Sequence, residues 1–144
     1  MQATKEALLA RLRGEKADFI PEIWREFIKP TEKRYAERIH EYGMIYMHHS
    51  CGFIQQIIPD LVEIGVDAIN PMMVKNDIDY VMDHFGDKIT VVGGLDNQFM
   101  ERPGTTEEEI RVEVRSKMDR YVNRGRYIPF IHSQFGTGVR NLCG

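Results

Sequence analysis

Apolar positions recur along the chain with two different periods, one near 3.6 residues and one of short β-rich runs. Residues 4–13 (TKEALLARLR) set Ala7, Leu8, Leu9 and Leu12 on one helical face, and Gly14 ends the run. A loop follows with Phe19 and Ile20 as apolar anchors. Pro21 suits a first helical turn, and Pro30 interrupts or restarts the helix. The helical period returns from about Thr31 to Tyr42, at Tyr35, Ile39 and Tyr42, with Gly43 as its C-cap. MIYMHH, residues 44–49, is rich in β-formers and predicts a strand between Gly43 and Gly52. Residues 53–64 predict a helix kinked or restarted at Pro59 and closed by Gly65. Residues 66–70 (VDAIN) predict a short buried strand that Pro71 ends. Residues 76–85 are helical, with Ile78, Val81, Met82 and Phe85 facing inward and Gly86 as the stop. KITVV, residues 88–92, predicts a strand and GGLDN a loop. Thr105 or Thr106 then caps a helix running to about Asn123, with Glu108 or Glu109 completing a capping box. The acidic start of that helix and Arg120 and Arg124 at its end complement its macrodipole. RYIPFI, residues 126–131, predicts the last strand, and the residues after it carry no period.

Four strands with a helix in every link make βαβ units, which require a parallel sheet; the predicted class is α/β. Composition changes this picture little. With 144 residues, 42% hydrophobic and 28% charged, and no linker-like stretch, the chain predicts one domain over residues 1–144. The net charge of -3 offers no field that would draw nucleic acid or anionic lipid. No apolar run approaches the roughly 18–20 residues of a membrane helix. Lys5, Arg11, Arg13, Glu15, Lys16 and Asp18 break up any signal-peptide core. The expectation is a soluble cytoplasmic protein that binds neither nucleic acid nor membrane. Its 2 cysteines are expected to stay reduced. Neither a dinucleotide nor a P-loop glycine motif is present.

The polar residues at the predicted strand ends are more informative. In parallel α/β proteins ligands bind at the carboxyl ends of the strands. Those ends carry His48, His49, Ser50 and Cys51, then Asn70, then Asp96 and Asn97, and finally His132. His49-Ser50-Cys51 is an H-x-C triplet. In extended chain, residues two apart point to the same side, so an imidazole and a thiolate can converge on one zinc ion. The competing assignment is a buried cysteine and a hydrogen-bonded histidine at a strand end. His132 is the best-placed third ligand. Cys143 is chemically the better one but lies near the chain end, where an unremarkable terminal thiol is the favoured assignment. His48 alternates to the opposite face and belongs in the wall. Asp96 either orients a ligand or moves a proton, or it caps the turn. Asn70 terminates its strand with Pro71 or offers its amide to a bound substrate or cofactor.

These residues resemble a known family. GMIYMHHSCGFIQQIIPDLVEIGVDAINP (43–71), FGDKITVVGGLDNQ (85–98), GTTEEEIRVEV (104–114) and GRYIPFIH (125–132) resemble the uroporphyrinogen decarboxylase superfamily, which includes zinc-dependent corrinoid methyltransferases. TKEALLARLRGEKADFIP (4–21) is similar to the family's N-terminal helix with its R-G-x-x-x-D-x-x-P signature. The resemblance implies a (β/α)8 barrel, of which this chain would carry the last four strands: a half-barrel over residues 31–144 behind an N-terminal helical segment, 1–30, in an internally shortened member.

The family's decarboxylases carry an arginine-rich R-Q-A-G-R motif that does not occur here, and they lack H-x-C. The corrinoid methyltransferase branch has H-x-C and a distant cysteine, together holding Zn2+; His49 and Cys51 match the first two. The position of the distant cysteine is occupied by His132-Ser133, so His132 or Cys143 would complete the set. The resemblance thus implies methyl transfer from a corrinoid carried by a partner protein to a small thiol. The alternatives are a tetrapyrrole decarboxylase of porphyrin biosynthesis using acid/base groups such as Asp96, and an inactive half-barrel remnant acting as a binding protein. Half a barrel leaves two strand edges unpaired, so a homo-oligomer is expected.

Overall fold

The computed structural model describes Leu9 and residues 22–131. Apart from Leu9, the expected helix over 4–13 lies outside the described residues, as do the candidate ligands His132 and Cys143. The chain divides into two compact units: residues up to Tyr46 together with Gln56–Gly65, and Met47–Gln55 together with the residues from Val66 onward.

In the first unit a π-helical turn, Trp24–Ile28, runs into helix α1, Lys29–Glu41, and Pro30 occupies the first turn of α1, where its missing N–H costs nothing. Its buried position is Ala36, whereas Tyr35 and Tyr42 are exposed. Arg38 holds Tyr42 on the surface, donating to its hydroxyl at 2.7 Å. The predicted helix over 53–64 divides into a 3-10 turn, Gln55–Ile57, and helix α2, Ile58–Glu63, because Pro59 starts a new first turn. Within α2, Asp60 is buried and receives Arg25 Nε at 2.9 Å and Lys29 Nζ at 2.7 Å. Burial pushes the Asp60 carboxyl up, but the hydrogen bonds from Lys29 and Arg25 outweigh it and hold the group below the usual carboxylate range.

The second unit holds the sheet: β1, Met47–His49; β2, Ala68–Met72; β3, Thr90–Gly94; and β4, Tyr127–Phe130. All three pairings are parallel and the spatial order is β1-β2-β3-β4. This is the α/β class, with consecutive strands adjacent as in part of a (β/α)8 barrel. The interior strands β2 and β3 are buried along nearly their whole length, as parallel strands covered on both faces must be. The edge strands alternate; in β1 only the central His48 is buried. Ile69 and Val91 are fully enclosed, a burial that contributes about 1.5–3 kcal/mol for each such side chain.

The strand boundaries differ from those predicted. β1 begins at Met47 rather than Met44, because its partner begins at Ala68 and a strand extends only as far as it is paired. β2 does not stop at Pro71. It continues through a cis Asn70–Pro71 bond to Met72, with a register shift between Ile69 and Met72 that accommodates a residue without an N–H. β3 runs on through Gly93 and Gly94 rather than ending in a loop, because Gly93 meets the neighbouring strand. A Cβ there would lie 2.6 Å from the carbonyl oxygen and 2.7 Å from the nitrogen of Met72. In β4 the buried Tyr127 hydroxyl donates to the Gly93 carbonyl at 2.9 Å, and burial pushes its phenol up to about 12.

Helix α3, Ile78–Phe85, buries Ile78, Val81 and Met82 as its period predicts, and the Asp77 carboxylate caps it. A short helix α4, Asn97–Met100, begins at the last residue of the expected GGLDN loop. Helix α5, Glu107–Tyr121, carries the capping box, formed by Thr106 and Glu109. Arg120 and Arg124 do more than end α5: both bind the Asp79 carboxylate of α3, and Arg124 also reaches Asp83 at 2.6 Å. Hydrogen bonds from Arg120 and then Arg124 hold the Asp79 carboxyl below the usual range.

Gly93→Ala is expected to destabilise the protein by about 2–4 kcal/mol, because the new methyl meets backbone that cannot move aside. Gly104→Ala, at a similarly left-handed φ of +87° but with open space around it, should cost only about 1 kcal/mol. Urea unfolding midpoints compare the two. Equal losses would contradict the close approach.

Candidate functional site

Because the four strands are parallel, their carboxyl ends share one rim. The rim is built first by the end of β1. The pleat buries His48 and exposes His49, and the chain stays extended far enough for Cys51 to return to the His49 side. His49 Nε2 and Cys51 Sγ lie 3.5 Å apart. The Ser50 N–H donates to the Asn70 carbonyl at 3.1 Å, which prolongs the β1–β2 pairing by one residue into the triplet. Asn70 itself is half-buried in the middle of β2, opposite His49.

At the end of β3, Asp96 is the N-cap of α4. Its Oδ1 accepts from the Phe99 N–H at 3.1 Å, and its own N–H donates to Glu113 Oε1 at 3.3 Å. Asp96 therefore carries out the capping role that its position after Gly93-Gly94 allowed. β4 brings Phe130 and Ile131 to the rim, and His132 follows immediately in the chain.

The structure thus brings His49 and Cys51 together and sets Asn70 on the adjacent strand, with Asp96 one strand further. His40 and His84 lie on helices, and His84 is occupied by the Tyr80 carbonyl at 2.8 Å and by stacking on the Tyr80 ring.

One set of residues at the rim escaped the sequence pattern. Asn76, placed by its period inside the following helix, instead lies buried before it and bonds back to the loop after Cys51. Its adjacency to the helix-capping Asp77 is the available signal: two successive capping-type residues leave one amide for another task.

A family model described as Uroporphyrinogen decarboxylase (URO-D) matches residues 5–130. The chain belongs to the uroporphyrinogen decarboxylase family. No curated protein matches the chain, and no solved structure does either. Family membership accounts for the parallel order of the four strands and directs attention to their carboxyl rim.

The His49–Cys51 geometry suits two ligands on one tetrahedral zinc ion. Zinc–nitrogen and zinc–sulfur bonds of about 2.0–2.1 and 2.3 Å at the tetrahedral angle set the two donors roughly 3.6 Å apart. The observed 3.5 Å is close to that distance. Among the described residues no three His, Cys, Asp or Glu side chains gather to complete such a site. Also among the described residues, no helix is long and apolar enough to cross a membrane.

Asp96→Ala should cost about 1 kcal/mol in chemical denaturation through loss of the cap, whereas Asp96→Asn, whose amide oxygen accepts the same bond, should unfold with the wild-type midpoint. An Asn variant as damaged as the Ala variant would mean that the charge, and not the cap, is what the fold uses.

Proposed function

We propose that this uroporphyrinogen decarboxylase family protein is a zinc-dependent methyltransferase, moving a methyl group from a methyl-corrinoid protein to a small thiol. The single observation that carries the reading is the His49–Cys51 pair, 3.5 Å apart on the carboxyl rim of a parallel sheet. His49 and Cys51 hold the metal, and His132 or Cys143, both outside the described residues, supplies the third protein donor. Zinc bound there provides Lewis acidity that makes a substrate thiol a thiolate near neutral pH.

The chain's own residues supply placement. β1 fixes the His49 ring and Cys51 on one side of the rim, Ser50 ties the triplet to β2, and the buried His48 belongs to the wall. The Asn70 amide, on the neighbouring strand, is the group assigned to contact with the bound substrate or cofactor, and its pairing opposite His49 supports this. Among the described residues β1 and β4 are the edges of the sheet, and pairing at such edges is the route by which a second copy would associate into a homo-oligomer.

The alternative of tetrapyrrole decarboxylation is supported by the family assignment but draws less from the rim, since the Asp96 carboxylate it would use for proton transfer is committed to the Phe99 N–H. A remnant that only binds a partner is the reading left if the rim holds no metal.

Elemental analysis of the purified full chain tests the proposal. Wild type is expected to carry about one zinc per chain, and His49→Ala and Cys51→Ser should each lose it, because two remaining protein ligands rarely hold zinc tightly. His48→Ala should retain zinc and lose only packing, on the order of 1 kcal/mol. Absence of zinc from wild type and all three variants after growth with added zinc would overturn the reading.

A further inference from the structure

We propose that Asn76 is a positioning residue for the His49–Cys51 pair, its buried amide clamping the loop after Cys51 so that the thiol stays beside the imidazole. The proposal deepens the zinc reading above and rests on it. Asn76 is 5% exposed, and every polar atom of its side chain is engaged. Oδ1 accepts from the Ile54 N–H at 2.8 Å; Nδ2 donates to the Gly52 carbonyl at 3.0 Å and to the Met73 carbonyl at 3.1 Å.

Two further bonds join the same stretches. The Gly52 N–H points at Met73 Sδ at 3.1 Å, and the Asp77 N–H donates to Gln55 Oε1 at 2.8 Å. On the other side of the triplet, the Ser50 N–H is held by the Asn70 carbonyl. Cys51 therefore sits between two anchored residues, Ser50 and Gly52, both fastened to β2 or to the segment that leaves it. Gly52 adopts φ +96°, a left-handed conformation that glycine reaches without a Cβ penalty, and Asn76 holds its carbonyl there.

A fully satisfied buried amide rigidifies what it bonds to. What it bonds to here is neither helix nor strand. Pairing of β1 with β2 is complete without it, and the loop it orders presents Ser50 and Cys51 to the rim. Residues behind metal ligands commonly act in this way, holding a ligand in the geometry the metal needs.

The test is a cobalt(II) titration of the metal-free full chain, followed by the thiolate-to-cobalt charge-transfer absorbance, together with amide hydrogen exchange at Gly52 and Ile54. Asn76→Ala should weaken cobalt binding by about 10- to 100-fold and speed exchange at Ile54. Met73→Leu, close in volume and expected to fold, removes the sulfur acceptor; it should weaken binding in the same direction by a smaller factor and speed exchange at Gly52. It carries the test if Asn76→Ala does not fold. Variants that bind cobalt as wild type does, with the same charge-transfer band and unchanged exchange, would overturn the proposal while leaving the zinc reading in place. A wild-type chain that binds no cobalt would overturn the zinc reading instead. The exchange rates then decide the clamp by themselves: faster exchange in the variants upholds it and unchanged exchange refutes it.

Discussion

Gly93 lies against the backbone of Met72 more closely than any side chain permits, and this contact lets β2 and β3 run side by side to their carboxyl ends. Tyr127 closes the same point from β4 by donating to the Gly93 carbonyl. With β2 held there, β1 pairs along its other side through His49 opposite Asn70, and Ser50 adds a further bond to the Asn70 carbonyl. The rim is thus a consequence of backbone pairing in the buried middle of the sheet. The side chains at that rim are placed by strands whose positions are set elsewhere.

The polar residues of the rim differ in how far the fold already engages them. Asp96 and Asn76 are both spent on backbone groups, one capping a short helix and the other fastening a loop. His48 is buried in the sheet. What remains presented outward is the His49–Cys51 pair, at a spacing that suits a tetrahedral metal, beside the half-buried Asn70. The family match runs over residues 5–130, and the spacing is between two side-chain atoms within that stretch.

The order of elements was readable from hydrophobic period and punctuation, since Gly43, Gly65 and Gly86 close helices just ahead of the strands that follow. The alternation of His48 and His49 was readable too, because it depends only on the two-residue repeat of an extended chain. The strand ends were not. Pro71 and Gly93-Gly94 look like breakers along the chain, yet one sits where the ladder shifts register and the other where two backbones touch. Both reasons lie in the neighbouring strand. Arg120 and Arg124 look like partners of their own helix end, while their carboxylate is Asp79, 41 and 45 residues away. Asn76 was hidden for the same reason, its partners Gly52 and Ile54 being 24 and 22 residues back. Local pattern carries local structure; contacts across such distances follow only from the fold.

X-ray absorption at the zinc edge, on full-length protein loaded with one equivalent of zinc, addresses the central claim most directly, because it reads the donor atoms themselves. The account predicts at least one sulfur at about 2.3 Å and at least one imidazole nitrogen at about 2.0–2.1 Å in a four-coordinate shell. A shell made of nitrogen and oxygen alone, with no sulfur, would contradict it.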